Sequence, residues 1–323
     1  YITMPHTAKG DDGISKVFNN EDFGYYKVTV DRPKRLSAQF SQEAIDSLRY
    51  VPAIREPMQW LYEALGEEVY STAKDKGIKA NKALIEKYLD DEELNLNAKN
   101  KKNLLNVKTW QAQKDLLGVA QGLMATLGTE ESNNFNVFKA EVEAELKRLK
   151  KDQDISLSSG ANTQLYNAIT WTDESAFKVI KKQHKLNTET LQEWCDGWEC
   201  NPDDYQQTFG DYGYWFDEAA TSAESKYAAI FNEYEYDSDL RDTENVPLTE
   251  DIVTYFNREV RPHVDDAWIN EDQTKIGYEV NFNKYFYQHT PLRNLEDVTA
   301  DILKLEAETD GLLKQLVSFG EAK

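Results

Sequence analysis

FNVFKAEVEAELKRLKK, residues Phe135–Lys151, decides the fold class. Phe135, Phe138, Val142, Leu146 and Leu149 recur at three- and four-residue spacings and so share one face of a long α-helix. Lys147, Arg148, Lys150 and Lys151 close it, and cations suit the negative end of a helix dipole. The basic cluster therefore reads as a helix terminus before it reads as a DNA contact. Similar spacings occur upstream in WLYEALGEEVY (Trp60–Tyr70) and KANKALIEKYL (Lys79–Leu89). Ser41 is a fitting N-cap for this region, with Glu43 in the first turn. From Ser41 to about Gln183 the chain is predicted to be mostly helical.

Strand signals lie on either side. In FGYYKVTVDRPKRLSAQF (Phe23–Phe40), Tyr26, Val28 and Val30 share one face of a period-2 segment that Pro33 ends. Lys27, Arg32, Lys34 and Arg35 make it basic; a solvated strand edge is one reading, and contact with an acidic neighbour or a phosphate backbone is the other. In KIGYEVNF (Lys275–Phe282), Ile276, Tyr278, Val280 and Phe282 alternate as a strand does. The predicted fold is mainly α, of the α+β class: a helical domain with short β-strands near 24–40 and 276–287, expected to pair with each other. The predicted regions are 1–40 (a polar lead-in and strands), 41–185 (helical), 186–245 (acidic and aromatic-rich) and 246–323 (a C-terminal region ending in a helix).

A chain of 323 residues with 40% hydrophobic and 12% aromatic residues has enough apolar matter for a sizeable core and for roughly two domains. No run approaches the ~18 apolar residues of a membrane span. Two cysteines, Cys195 and Cys200, fit a reducing compartment, and cytoplasm is the expected location. The first residue is Tyr1 and not Met, as expected of a piece of a longer chain. The formal net charge is −21, and it is concentrated: Leu186–Asn245 holds sixteen Asp and Glu against Lys226 and Arg241, a local net of −14. Such a surface repels phosphate, so direct DNA binding is disfavoured there. Twelve aromatics in the same stretch, Trp194, Trp198, Trp215 and Tyr234 among them, supply the packing that disordered acidic segments lack.

In DTENVPLTEDIVTYFNREVRPHVDDAWI (Asp242–Ile269), Thr249 is a candidate helix cap ahead of Glu250 and Asp251. Ile252, Tyr255, Phe256 and Val260 follow on one face, and Pro262 stops the helix. Asp265 and Asp266 are expected to cap or solvate the turn after it. The last helix opens at Asn294, with Asp297 three residues on. Leu295, Ile302, Thr309 and Leu316 are seven apart, with Val298, Leu305 and Leu312 at the intervening positions. Thr309 and Gly311 weaken this repeat, but its 3.5-residue period describes a narrow seam and not a broad core stripe. The seam packs either inside this chain or against another chain's helix.

Chemistry-bearing motifs are sparse. His6, His184, His263 and His289 show no metal-binding spacing, and Cys195 and Cys200 form one C-x4-C without two further ligands nearby. There is no phosphate-binding glycine loop or nucleophile elbow. FGDYGYW (Phe209–Trp215) reads as an aromatic turn, and pairs such as Asp203 with Asp204 have no fixed partner. No active site is predicted.

LRDTENVPLTEDIVTYFNREVRPHVDDAWI (Leu240–Ile269), followed by KIGYEVNFNKYFY (Lys275–Tyr287), resembles the C-terminal portion of type I restriction–modification DNA methyltransferase subunits, the HsdM family. KVFNNEDFGYYKVTVDRPKRL (Lys16–Leu36) is similar to the stretch after that family's catalytic domain. The resemblance covers residues 16–40 and 240–317, and residues 41–239 correspond to the family's variable middle. It implies that the full-length form transfers a methyl group from S-adenosylmethionine to adenine N6 in DNA, with the base flipped out of the duplex. The cofactor loop and the Asn-Pro-Pro-aromatic motif are absent here; NPDD (Asn201–Asp204) lacks the second proline and the aromatic. No cofactor site is therefore expected in this chain, and the catalytic half is expected upstream of Tyr1. The resemblance further implies assembly with a specificity subunit and a restriction subunit, DNA contact only through that complex, and no membrane. Leu295, Val298, Ile302, Leu305, Leu312 and Leu316 are the expected partner-binding residues. Two other classes remain open: an acidic DNA mimic that inhibits a restriction enzyme, and a stand-alone enzyme with an unfamiliar site in the aromatic region.

Overall fold

The computed structural model describes residues 19–200, 205–221, 226–279 and 294–320. The NPDD string, the strand expected over 280–287 and most of the lead-in lie outside the described residues. The protein is 53% helical with 20% strand in small sheets, the mainly helical α+β class that the spacings predict. It divides into two compact units, Tyr1–Tyr25 with Gly277–Lys323, and Tyr26–Ile276.

The first helix of the larger unit is α1 (Gln42–Ser47), capped as expected by Ser41, whose Oγ accepts from the Ala44 amide at 3.2 Å. There follow α2 (Arg55–Leu65), α3 (Gly77–Ala80), α4 (Lys82–Asp91), α5 (Ala98–Leu105), α6 (Val107–Leu127), α7 (Phe135–Gln153) and α8 (Ser159–Ile169). The 21 residues of α6 span roughly 31 Å at 1.5 Å per residue, enough to serve two cores. Its first turns bring Val107 and Trp110 to Met58, Leu61, Ile85 and Leu104. Its later turns bring Leu116, Ala120 and Leu123 to Phe40, Ile45, Phe138, Val142 and Leu165. On α7, Phe135, Phe138 and Val142 are buried, and Leu146 and Leu149 pack at the edge of the same core, so the predicted face is the inward face.

The strands are β1 (Gly24–Asp31), β2 (Leu36–Ala38), β3 (Thr170–Thr172), β4 (Ile180–Leu186), β5 (Tyr214–Phe216), β6 (Ala229–Tyr234), β7 (Asp242–Pro247) and β8 (Trp268–Tyr278). β1 and β2 fall where strands are predicted. β3 and β4 interrupt the stretch read as helical to Gln183. The signal is hidden because β4 turns Lys181, Lys182, Gln183 and Lys185 to solvent and leaves little apolar alternation. β4 pairs antiparallel with β6, His184 facing Phe231, and β5 pairs with the other edge of β6. α9 (Thr188–Gly197) and α10 (Tyr205–Asp211) complete a small aromatic core of Trp194, Trp198, Phe209, Phe231 and their neighbours. The acidic stretch is thus folded around its aromatics.

The sheet order β7-β1-β8 places β1 beside β8, the pairing expected of the two strand regions, although β8 starts at Trp268 and not near 276. Its core joins Val28, Val30, Val246 and Ile269 to Phe256. The helical piece here differs in two ways from its prediction. Asp251, not Thr249, is the cap, accepting from the Thr254 amide at 2.8 Å, so α11 is only Ile252–Tyr255. The chain then widens into a π turn, Phe256–Val260, before Pro262. Asp266 does not merely cap the following turn: it is buried and accepts from Arg35 Nη2 at 3.0 Å, with Arg32 Nε 3.7 Å away.

In the smaller unit the Glu279 amide donates to the Phe23 carbonyl at 2.9 Å, and a Cβ on Gly277 would lie 2.6 Å from the end of the Tyr25 ring, which packs against the bare glycine. Its helix α12 runs Leu295–Gly320, opened as predicted by Asn294, whose Oδ1 accepts from the Asp297 amide at 2.8 Å.

Trp110 tests the first of the α6 cores. It is fully buried, and its indole N–H donates to the Leu104 carbonyl at 2.9 Å. Trp110→Ala should lower unfolding stability by about 3–5 kcal/mol in urea titrations, through the cavity it leaves. A loss within 1 kcal/mol or so would show that α6 does not organise this core.

Candidate functional site

Two places stand out, one in each unit. The first is the apolar seam of α12. Leu295 is 81% exposed, Ile302 57% and Leu305 61%, and Leu303 lies exposed beside them. Val298 is half-buried. The side chains of Leu312 and Leu316 lie outside the described residues, although both positions are on α12. The seam arises because three- and four-residue steps repeat along one helix, and α12 is roughly 39 Å long at 1.5 Å per residue.

The second is a cleft of about 380 Å³ in the larger unit, lined by Asp31 of β1, Lys181 of β4, residues 212–214 leading into β5, Glu233 and Tyr234 of β6 with Tyr236 just beyond it, and residues 268–272 of β8. Trp198 forms part of its wall, its ring centroid 4.5 Å from that of Tyr212. Gly213 has φ +88°, and a Cβ there would meet the Trp268 indole at 2.7 Å, so the absence of a side chain lets Trp268 close that wall. The aromatics and acids of this region are evident in the sequence, but the cleft they form is not. Its walls come from six separate segments, and spacing within one segment cannot report that meeting.

Charges in the cleft are unevenly matched. Asp31 is 1% exposed and accepts from Arg241 Nε at 2.6 Å, Arg241 Nη2 at 3.1 Å and Asn270 Nδ2 at 2.7 Å. Glu233 accepts from Lys181 Nζ at 2.5 Å and lies 3.0 Å from His184 Nε2. Burial pushes the Glu233 carboxyl up, but its bonds to Lys181 and His184 outweigh this and hold it below the ordinary range. The bond to Glu233 raises the Lys181 ammonium. Burial raises the Tyr212 and Tyr214 hydroxyls; Glu271 adds to this at Tyr212, and Glu233 and Asp272 add to it at Tyr214. Glu271 and Asp272 are exposed and form no hydrogen bond or ion pair among the described residues.

Elsewhere the basic segment of β1 and β2 meets an acidic neighbour, because Arg32 and Arg35 face Asp266. Lys178 lies against the rings of Trp215 and Tyr234, 4.6 and 5.5 Å from their centroids, and burial lowers its ammonium pKa. Cys195 is buried, Cys200 is partly exposed, and neither is in a disulfide. No group of three or more His, Cys, Asp or Glu is arranged to hold a metal among the described residues. None of their helices is long and apolar enough to cross a membrane.

The Glu233 pair gives a pH test. A carboxyl whose folded pKa is depressed contributes stability above its unfolded value of about 4.3, and that contribution is lost as pH falls through the folded value. Lys181 is largely exposed, so screening keeps the effect small. Wild type should melt about 1–3 °C above Glu233→Gln near pH 7, and the difference should shrink as pH falls below the unfolded value of about 4.3. A difference that stays constant with pH would show that the ion pair is not its source. No family model, curated protein or solved structure matches this chain.

Proposed function

We propose that this chain is the C-terminal assembly and regulatory part of a type I restriction–modification methylation subunit, and that α12 docks it onto a helix of the specificity subunit. One observation carries the reading: Leu295, Ile302 and Leu305 stand exposed on one long helix at coiled-coil spacing. A 3.5-residue seam fits another helix, whose side chains fill the holes between its own, better than it fits a flat surface. Exposed contiguous apolar surface of this kind marks interaction sites. The wording of residues 16–40 and 240–317 supplies the family, and with it the partner, whose long helices separate its DNA-reading domains. In this reading the absent catalytic half carries S-adenosylmethionine and methylates adenine N6. The present chain contributes position and not chemistry. The restriction subunit joins the same complex, and DNA is held through the assembly.

Two further features agree with delegated DNA contact. Arg32 and Arg35 are engaged by Asp266, and Arg241 by Asp31, so the arginines nearest the strands are committed internally. The −21 net charge opposes phosphate binding over the rest of the surface.

Burying each seam side chain contributes about 1.5–3 kcal/mol, and every 1.4 kcal/mol is tenfold in affinity. Ile302→Asp with Leu305→Asp should therefore weaken co-purification with the specificity subunit by roughly a hundredfold or more. The double variant should keep its circular dichroism and melting temperature. Unfolding of the variant would assign the seam to this chain's own core. Undiminished co-purification would remove α12 as the docking element, and loss of a wild-type self-dimer in sedimentation would name a second copy as the occupant.

A further inference from the structure

The cleft of the larger unit holds groups that the docking role of α12 leaves unused. Its volume of about 380 Å³ falls in the range of small-ligand sites, roughly 300–1,000 Å³. Aromatic side chains dominate its walls, the indoles of Trp198 and Trp268 and the phenols of Tyr212 and Tyr214, with Lys181 among them. Of its carboxylates, Asp31 is satisfied by Arg241 and Asn270, and Glu233 by Lys181 and His184. Glu271 and Asp272 have no such partner among the described residues. They reach the cleft because β8 extends past the buried Trp268 and Ile269 into solvent. Two uncompensated carboxylates beside aromatic faces favour one chemistry. Ring faces attract positive charge, and carboxylates accept charge-assisted bonds from N–H donors. Phosphates and carboxylates are repelled by the same field. Burial raises the Tyr212 and Tyr214 hydroxyls, and the negative charge of Glu271 at Tyr212 and of Asp272 at Tyr214 adds to it.

We infer that this cleft binds an organic cation, a guanidinium or primary ammonium group, with Glu271 and Asp272 accepting its N–H donors and the aromatic walls receiving its charge. The group belongs either to a free small molecule, such as a polyamine, or to an arginine or lysine side chain of a partner protein. Site and test are independent of α12.

The test titrates the full chain calorimetrically with spermidine, with N-acetyl-arginine amide and with a peptide alternating Gly and Arg. The Trp268 indole N–H is followed by nuclear magnetic resonance in parallel. Glu271→Gln with Asp272→Asn removes the free carboxylates at exposed positions; Asp91→Asn with Glu92→Gln removes the same charge from the exposed end of α4. At least one cation should bind, shift the Trp268 resonance and bind about tenfold more weakly or worse to the first double variant, while the α4 variant binds as wild type. Gly213→Ala, which displaces the Trp268 wall, should weaken binding without changing net charge. Equal weakening in both double variants would assign binding to the bulk −21 charge and overturn the site. So would millimolar silence from all three cations, or binding that leaves Trp268 unmoved. Spermidine or N-acetyl-arginine amide binding as tightly as the peptide identifies a small-molecule ligand; binding of the peptide alone identifies a partner's side chain.

Discussion

Asp31 is almost completely buried, and the strand framework depends on how its charge is met. An unpaired carboxylate at that depth costs several kcal/mol, so burial is tolerable only with partners of good geometry. Arg241 supplies two parallel bonds and Asn270 a third, tying β1 to the turn before β7 and to β8 across more than two hundred residues. Asp266 does the same for Arg32 and Arg35. Asp211 accepts from Asn257 Nδ2 at 3.2 Å and forms an ion pair with Arg261, N···O 2.5 Å, which ties α10 to the π turn. A chain with 58 acidic and 37 basic residues thus spends several of its arginines on internal acids. Removing one partner would strand a buried charge, which is why these pairs bear more on the fold than the exposed Arg148 pairs with Glu145 and Asp152.

The helices were the most legible part of the sequence. α7 and the caps Ser41 and Asn294 follow from spacing and side-chain chemistry local to a few residues. The strands were legible only where one face is apolar, as in β1. β4 escaped notice because its exposed lysines break the alternation, and β7 because Asp242, Thr243 and Glu244 look like a loop. The displaced cap at Asp251 has a similar origin: Thr249 and Asp251 are both good caps, and the choice between them lies in how β7 delivers the chain, not in the residues themselves. The α12 seam was legible as a repeat. Its exposure was not, because a 3.5-residue period is compatible with packing inside the chain or outside it. The cleft was the least legible feature, since its lining is assembled by long-range pairing of β1, β4, β6 and β8.

In the proposed reading the two candidate sites divide the labour. α12 offers apolar surface without charge discrimination, and its affinity grows with the area it covers. The cleft offers charge and ring faces, and its contribution is selectivity for one kind of group. Residues 186–245 carry a net charge of −14, and their described part is built around Trp194, Phe209 and Phe231. The same surface is well suited to excluding nucleic acid from places where a protein partner should bind.

Hydrogen exchange along residues 295–320 addresses the docking role most directly. In the free chain the amides of α12 should exchange within reach of local opening, because Leu295, Ile302 and Leu305 bury little surface. In complex with the specificity subunit they should slow by about a hundredfold or more, with the largest change around Ile302 and Leu305. Unchanged exchange in α12 within a formed complex would contradict its role as the docking helix.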